Sequence, residues 1–482
     1  MQNQIVQSAR TSCLFILSFA FLLCSCSFQK KIARSAKENV LSNPSLQTAH
    51  VGISIYEPAT GKYWYDYQGD KYFVPASNTK IPTCYAAMKY LGDSLAGLKY
   101  GYTADKLIVL QPTGDPSFLL KEYVSQPVAD FLEKKLKTEK LKAAYLEGTW
   151  QDQQWGSGWS WNDYDETYMA ERSPFPVFGN TIDIELNDPA HRFAGDSSIT
   201  LFKTGVNYFD TVINRSIPAY PRAQFRNAVQ NFTITRDISR NSFDIKWSRR
   251  PFDKQSMPFT TKGATSATGI LEEMFATKFA HAFPSRQKGK YQLENEDASH
   301  STISIDNWYT VHSQPTDSLL KPMMHRSDNF FAEQSLLMVS NEVLGVMSDE
   351  KIIDTLLKTV FSDLPQKPRW VDGSGLSRYN LFTPQDFIAI LNKMKNEFGM
   401  ERIKVILPTG GEGTISSYYQ ADRGYIFVKT GTLSGVVALS GFLTTKKNRQ
   451  LIFSALINNH QASATEVRKA LEKFLQGIRN AY

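Results

Sequence analysis

Apolar and polar residues alternate over 50–56 (HVGISIY) and again over 63–68, either side of the turn-prone run Glu57-Pro58-Ala59-Thr60-Gly61-Lys62. A period of two bounded by turn residues predicts a β-hairpin. Over 77–92 the period lengthens, and Ile81, Tyr85, Met88 and Leu91 fall near one face of a predicted helix. From about residue 105 to residue 300 the pattern breaks into short strand-like pieces at 106–110, 143–149, 181–186, 197–205, 231–236 and 242–248, with helical patterns only over 128–138 and 267–280. Gly, Pro, Asn and Asp fill the gaps, as turns require. After about residue 301 longer elements return. Residues 328–345 and 384–398 read as helices, and 424–432, 435–444 and 450–458 as three consecutive strands. A last helix starts near Ser463, where Glu466 completes a capping box and Val467, Leu471, Phe474 and Ile478 form the apolar stripe.

The chain has 482 residues, too many for one ordinary core, so two or three domains are expected. With 42% hydrophobic and 21% charged residues it is neither collagen-like, coiled-coil nor disordered. The formal charge of +7 is modest, and the body lacks the clustered Lys, Arg and aromatic residues of a nucleic-acid binder. Seven histidines are scattered without metal-ligand spacing, so neither a metal nor another cofactor is expected.

The N-terminus carries a possible address. Arg10 precedes an apolar run over 13–24 that is shorter than the ~20 residues of a spanning helix and suits a signal peptide. The run ends in Leu23-Cys24-Ser25-Cys26, which resembles a bacterial lipoprotein cleavage site: an apolar residue at −3, a small one at −1, and Cys26 to take the lipid. The expectation is a signal peptide over 1–25, a polar tether over 26–46, and a lipid-anchored protein of the bacterial envelope facing the periplasm, with Ser27 favouring the outer membrane. The basic residues Lys30, Lys31, Arg34 and Lys37 read as part of a solvated linker. Removal of the leader leaves Cys84 alone, so cysteine usage says nothing about compartment.

Three short motifs carry chemistry. Ser77-Asn78-Thr79-Lys80 opens a predicted helix and places an amine one turn from a hydroxyl. A serine needs a base, and a lysine near its ordinary pKa of ~10.4 cannot serve at neutral pH. The pairing therefore requires Lys80 to be desolvated or to lie beside another cation. Ser327-Asp328-Asn329 would present a hydroxyl and a carboxamide together on an extended loop. Lys429-Thr430-Gly431-Thr432 ends an apolar strand, where glycine marks a close approach and Lys and Thr suit a carboxylate. Singly these are an ordinary helix start, a turn and an edge strand. Together and in this order they are the set used by serine β-lactamases and penicillin-binding proteins.

More of the chain matches one family. Pro75-Ala76-Ser77-Asn78-Thr79-Lys80, Gly114-Asp115-Pro116, Gly158-Trp159-Ser160-Trp161-Asn162-Asp163, Asp372-Gly373-Ser374-Gly375-Leu376-Ser377-Arg378, Leu407-Pro408 with Gly413-Thr414, and Lys429 to Thr432 are its landmarks. The chain resembles the D-alanyl-D-alanine carboxypeptidase/endopeptidase family, the class C low-molecular-mass penicillin-binding proteins, over nearly everything after residue 46. The resemblance implies an α+β fold: a transpeptidase-like domain with an antiparallel sheet and helices, here 47–104 plus 301–482, interrupted by a β-rich insertion over 105–300. It implies Ser77 as acylated nucleophile, Lys80 as its base, Ser327 as proton relay to the leaving amine, and Asn329 as partner of the substrate amide. Lys429, Thr430, Gly431 and Thr432 would hold the terminal carboxylate, the N–H groups of Ser77 and Thr432 would form the oxyanion hole, and Arg378 would contact the peptide stem. The implied activity is that of a serine-type D-Ala-D-Ala carboxypeptidase or endopeptidase on peptidoglycan stem peptides, inhibited by β-lactams. The alternatives are a β-lactamase and a non-catalytic peptidoglycan-binding envelope protein. One residue departs from the family: Pro82, which in a helix starting at Ser77 would remove a hydrogen bond and press on the carbonyl of Asn78.

Overall fold

The computed structural model describes residues 29–185, 232–239, 241, 243–247, 254–294 and 300–482. The expected leader, Cys26 and the strand read at 197–205 lie outside the described residues. The chain divides into two compact units. One holds the described residues up to Ile81 with Asp363–Trp370 and Asn380–Tyr482; the other holds the described residues from Pro82 to Ser362 with Val371–Tyr379.

The first unit is built on a five-stranded antiparallel sheet in the order Ile426–Leu433, Val436–Thr444, Gln450–Asn458, His50–Glu57, Lys62–Tyr67. The predicted hairpin is therefore continued by the three C-terminal strands, through pairs such as Ser54 with Ser454. Alternation places Val51, Ile53 and Ile55 in one core with Val467, Leu471, Phe474 and Ile478 of the helix Ala464–Ala481. That helix starts as its sequence predicts: the Glu466 N–H donates to Ser463 Oγ at 3.2 Å and the Ser463 N–H to Glu466 Oε2 at 2.9 Å.

The stretch expected to be a tether is folded where it is described. Residues 29–36 are helical, Lys37–Leu41 continues as a π-helix, and Ile32, Ala36, Val40 and Leu46 are buried in the same core as Phe474. One apolar residue every fourth position is a thin stripe, easily hidden among Lys30, Lys31, Arg34 and Lys37, yet it suffices to dock a helix on an existing core. Val40→Ala is expected to destabilise the protein by about 2 kcal/mol, from lost transfer energy plus a cavity. A tether would give no change in a denaturant midpoint.

The second unit contains a seven-stranded sheet in the order His300–Ser304, Lys290–Glu294, Phe279–Pro284, Ala143–Leu146, Ile108–Pro112, Ser94–Tyr102, Trp308–Pro315. Ala143–Leu146 runs parallel to both neighbours and the other pairs are antiparallel. Two ribbons, Thr181–Glu185 with Lys254–Pro258 and Phe232–Arg236 with Phe243–Trp247, accompany it. The sheet thus reaches beyond the 105–300 read from composition, because Ser94–Tyr102 and Trp308–Pro315 pair with each other. Gly97 and Gly101 interrupt the alternation of the first of these strands, so its pattern is weak in sequence. The helix expected over 267–280 is Thr265–Phe275; Ala276 turns left-handed at φ 48°, and the chain becomes a strand at Phe279.

Two helices of this unit, Thr316–His325 and Asp349–Lys358, went unread. The first contains Pro322; the second, though short, carries the Ser348 cap, Asp349 and Glu350 in its first turn and the buried stripe Ile352, Ile353 and Leu356. Mixed helices and largely antiparallel sheets make this the α+β architecture that was expected.

Candidate active site

In the first unit, Ser77 and Lys80 belong to different helix types. Ala76–Thr79 is a 3-10 turn, entered through Ala76 at φ 46°, and the α-helix Lys80–Tyr90 begins after it. This removes the difficulty with Pro82. As third residue of the α-helix it lies in the first turn, where backbone N–H groups have no intrahelical acceptor to lose.

The Lys80 Nζ donates to Ser77 Oγ at 3.0 Å. Lys80 is fully buried, whereas Ser77 keeps part of its surface. The strand Ile426–Leu433 passes beside this turn. A Cβ at Gly431 would stand 2.7 Å from Pro75 O and 3.0 Å from the Ser77 nitrogen, so only glycine allows the strand so close. Gly431→Ala must displace the turn, and a shift of about 1 Å at a nucleophile costs roughly a hundredfold. The rate of serine acylation is the measurement; an unchanged rate would contradict this contact.

Lys429 is also fully buried, and its Nζ donates to Thr430 O at 2.6 Å. Burial holds its ammonium well below the usual lysine range, and the charges of Lys80 and Arg468 push the same way. Of the two conditions either of which would suit the Ser77–Lys80 pairing, desolvation is met by the burial of Lys80, and a second lysine amine lies close enough to act on it. Further along the strand, the Thr430 hydroxyl donates to Thr414 Oγ1 at 2.7 Å, and Thr432 Oγ1 accepts from Arg468 Nη2 at 2.6 Å. Behind the turn, Asn78 Nδ2 donates to Ser440 Oγ at 2.7 Å, which itself donates to Ser454 Oγ at 2.8 Å. This buried chain runs across the sheet and fixes where the turn stands.

In the second unit, Ser327-Asp328-Asn329 is a helix start rather than an extended loop. Ser327 is left-handed at φ 62°, Asp328 caps the helix Asn329–Leu344 by accepting from Phe331 N at 3.0 Å, and Asn329 is its first residue. A non-glycine residue with positive φ stores strain, which is more common at functional positions. The Asn329 carboxamide donates to Tyr168 O at 3.0 Å, so the segment after the Trp-rich landmark touches this motif.

The same helix supports the Asp-Gly-Ser-Gly landmark. Glu333 Oε1 accepts from Ser374 N at 2.7 Å, and a Cβ at Gly373 would meet Ala332 O at 2.7 Å. Asp372 is buried and accepts from Gly375 N, Ser377 N and Trp159 Nε1 at 2.8, 2.7 and 3.0 Å. The loop closes on its own carboxylate, leaving Arg378 exposed at its end. Behind it, buried Arg172 pairs with Asp152, Asp349 and Glu333 at 2.7, 2.6 and 3.3 Å. Burial and then the charge of Asp372 push Glu333 up to about 8, against the pull of Arg172.

The first unit thus brings together Ser77, Lys80, Lys429, Thr430, Gly431 and Thr432, and the second carries Ser327, Asn329 and Arg378. Sequence reasoning missed Thr414 as partner of Thr430, though Gly413-Thr414 was noted as a landmark. It missed Arg468 entirely, because no motif marks a single arginine beside Val467 on an amphipathic helix.

Comparison with known proteins agrees with these motifs. A family model described as the D-Ala-D-Ala carboxypeptidase 3 (S13) family matches residues 33–478. A D-alanyl-D-alanine carboxypeptidase of Actinomadura sp. (strain R39) is 25% identical over 451 residues, 88% of this chain and 80% of that protein. A D-alanyl-D-alanine carboxypeptidase of Haemophilus influenzae is 23% identical over 446 residues, 86% of this chain and 87% of that one. The crystal structure of penicillin binding protein 4 from Haemophilus influenzae superposes with a TM-score of 0.64 at 20% identity, covering 93% of this chain and 98% of that one. A second structure of it, complexed with a β-lactam, gives 0.60 at 19% identity. At these identities the structural likeness speaks for the fold, while the family model spans the motifs themselves. With Ser77-Asn78-Thr79-Lys80, Ser327-Asp328-Asn329 and Lys429-Thr430-Gly431 all inside the matched span, this chain belongs to the D-Ala-D-Ala carboxypeptidase 3 (S13) family of peptidases.

Proposed function

We propose that this peptidase cleaves D-Ala-D-Ala bonds of peptidoglycan stem peptides through an acyl-enzyme on Ser77. The observation that carries the reading is the buried Lys80 amine 3.0 Å from a partly accessible Ser77 hydroxyl, next to a second buried lysine. Lys80 takes the hydroxyl proton as Ser77 Oγ bonds to the scissile carbonyl carbon. The oxyanion is held by the N–H groups of Ser77 and Thr432, each such donor being worth ~3–4 kcal/mol. The C–N bond then breaks, Ser327 passes a proton to the leaving amine, and water hydrolyses the ester. Asn329 meets the substrate amide, Lys429, Thr430 and Thr432 hold the carboxylate beside the scissile bond, and Arg378 meets the stem.

β-Lactams, which carry a strained amide and a carboxylate, enter as acylating inhibitors, in keeping with the β-lactam complex of the Haemophilus influenzae protein. The reading extends to cross-link cleavage, since a D-Ala cross-link presents the same acyl group. The location that follows is the periplasmic side of the bacterial envelope, through a lipid on Cys26 after removal of residues 1–25.

Incubation with purified muropeptides, read by mass spectrometry, tests the activity. Loss of one D-Ala from monomers reports carboxypeptidase action, and splitting of dimers reports endopeptidase action. Neither product would end the proposal. A penicillin adduct on Ser77 that decays within seconds would instead favour the β-lactamase alternative.

A further inference from the structure

We infer that Arg468 is a substrate-binding residue that reads the carboxylate next to the scissile bond, completing the grip assigned to Lys429, Thr430 and Thr432. The inference rests on the proposed role of that strand and extends it to a residue outside every motif.

Arg468 lies in the second turn of the helix Ala464–Ala481, beside the buried stripe that docks the helix on the sheet. Its guanidinium stands over the Tyr418 ring, 6.0 Å from the centroid, and its Nη2 donates to Thr432 Oγ1 at 2.6 Å. Its Nε is buried and has no hydrogen-bond partner. Among the described residues, no carboxylate lies within 4.0 Å of it. The buried arginines Arg172 and Arg236, by contrast, are matched by Asp or Glu. Arg468 instead adds its charge to those of Lys80 and Lys429.

A guanidinium beside the two lysine amines, with a buried donor unused and no carboxylate matched to it, makes this a place suited to an anion. A guanidinium matches a carboxylate with parallel N–H bonds. A hydroxyl has one proton and two lone pairs. With Arg468 filling a lone pair of Thr432 Oγ1, that hydroxyl keeps its proton for the same carboxylate.

The test uses the full chain, an acylated L-Lys-D-Ala-D-Ala peptide and its C-terminal amide. In the R468Q variant, KM for the acid is expected to rise roughly tenfold to a hundredfold, the range for a hydrogen bond to a charged group. Its kcat should change by less than about threefold, as for an interaction made equally in ground and transition states. The amide should lose little, so the acid-to-amide ratio of kcat/KM collapses. R468K should recover part of that ratio. An unchanged ratio in R468Q, or equal losses on both peptides, overturns the inference. Wild-type protein that neither cleaves the acid peptide nor takes penicillin on Ser77 would overturn the underlying reading of the site instead.

Discussion

Replacing Ser77 by alanine is expected to lower D-Ala-D-Ala peptide hydrolysis by about four orders of magnitude or more and to abolish penicillin labelling, with the fold intact. The side chain is small and partly accessible, and it accepts a hydrogen bond from Lys80. Its removal therefore costs chemistry and little packing. Lys80→Met should fall nearly as far, because an unactivated hydroxyl is a poor nucleophile. Ser77→Ala combined with Lys80→Met should be no worse than either alone, since groups that act as a unit are lost together. Single-turnover acylation by a fluorescent penicillin reads all three variants. Labelling that survives Ser77→Ala would place the nucleophile elsewhere, and additive losses would separate Lys80 from the step assigned to it.

Lys429→Met should move stability and activity in opposite directions. Lys429 is fully buried, and its Nζ donates to the carbonyl of Thr430. Enclosing an amine beside Lys80 and Arg468 costs folding energy, and an apolar side chain of similar length removes that cost. A gain of about 1–2 kcal/mol is expected, the scale seen where function demands a destabilised site. Hydrolysis should fall about a hundredfold, through loss of a grip on the substrate carboxylate.

The pH dependence carries the same sign. The folded pKa of Lys429 is depressed below its ordinary 10.5, so between the two values the unfolded chain binds the extra proton. Stability contributed by this group therefore rises as pH rises through that window, and Lys429→Met should flatten the rise. Thermal unfolding of both proteins from neutral to alkaline pH is the measurement. A variant less stable than wild type, with unchanged slope, would show that Lys429 is a structural support.

Much of the fold was legible locally. The hairpin, the three C-terminal strands and the last helix announce themselves through alternation, a capping box and an apolar stripe, all written within a few neighbouring residues. Ser77 and Lys80 could be paired in advance because three residues of helical chain bring them together whatever surrounds them. Elements with weak local signals were lost: the glycine-broken strand Ser94–Tyr102, the Pro322 helix, and the thin stripe of Ile32, Ala36 and Val40.

The chemistry divides the same way. Sequence by itself determined which groups are available: a hydroxyl and an amine one turn apart, a Ser-Asp-Asn turn, and a Lys-Thr-Gly-Thr strand end. Only the tertiary structure decided that Lys80 is enclosed, that Lys80 and Arg468 bring their charges to Lys429, and that a 3-10 turn makes Pro82 harmless. Local propensity acts over one turn of chain, whereas burial and charge proximity depend on residues 77, 429 and 468 being joined by strand pairing and helix docking, contacts whose partners no short stretch of sequence specifies.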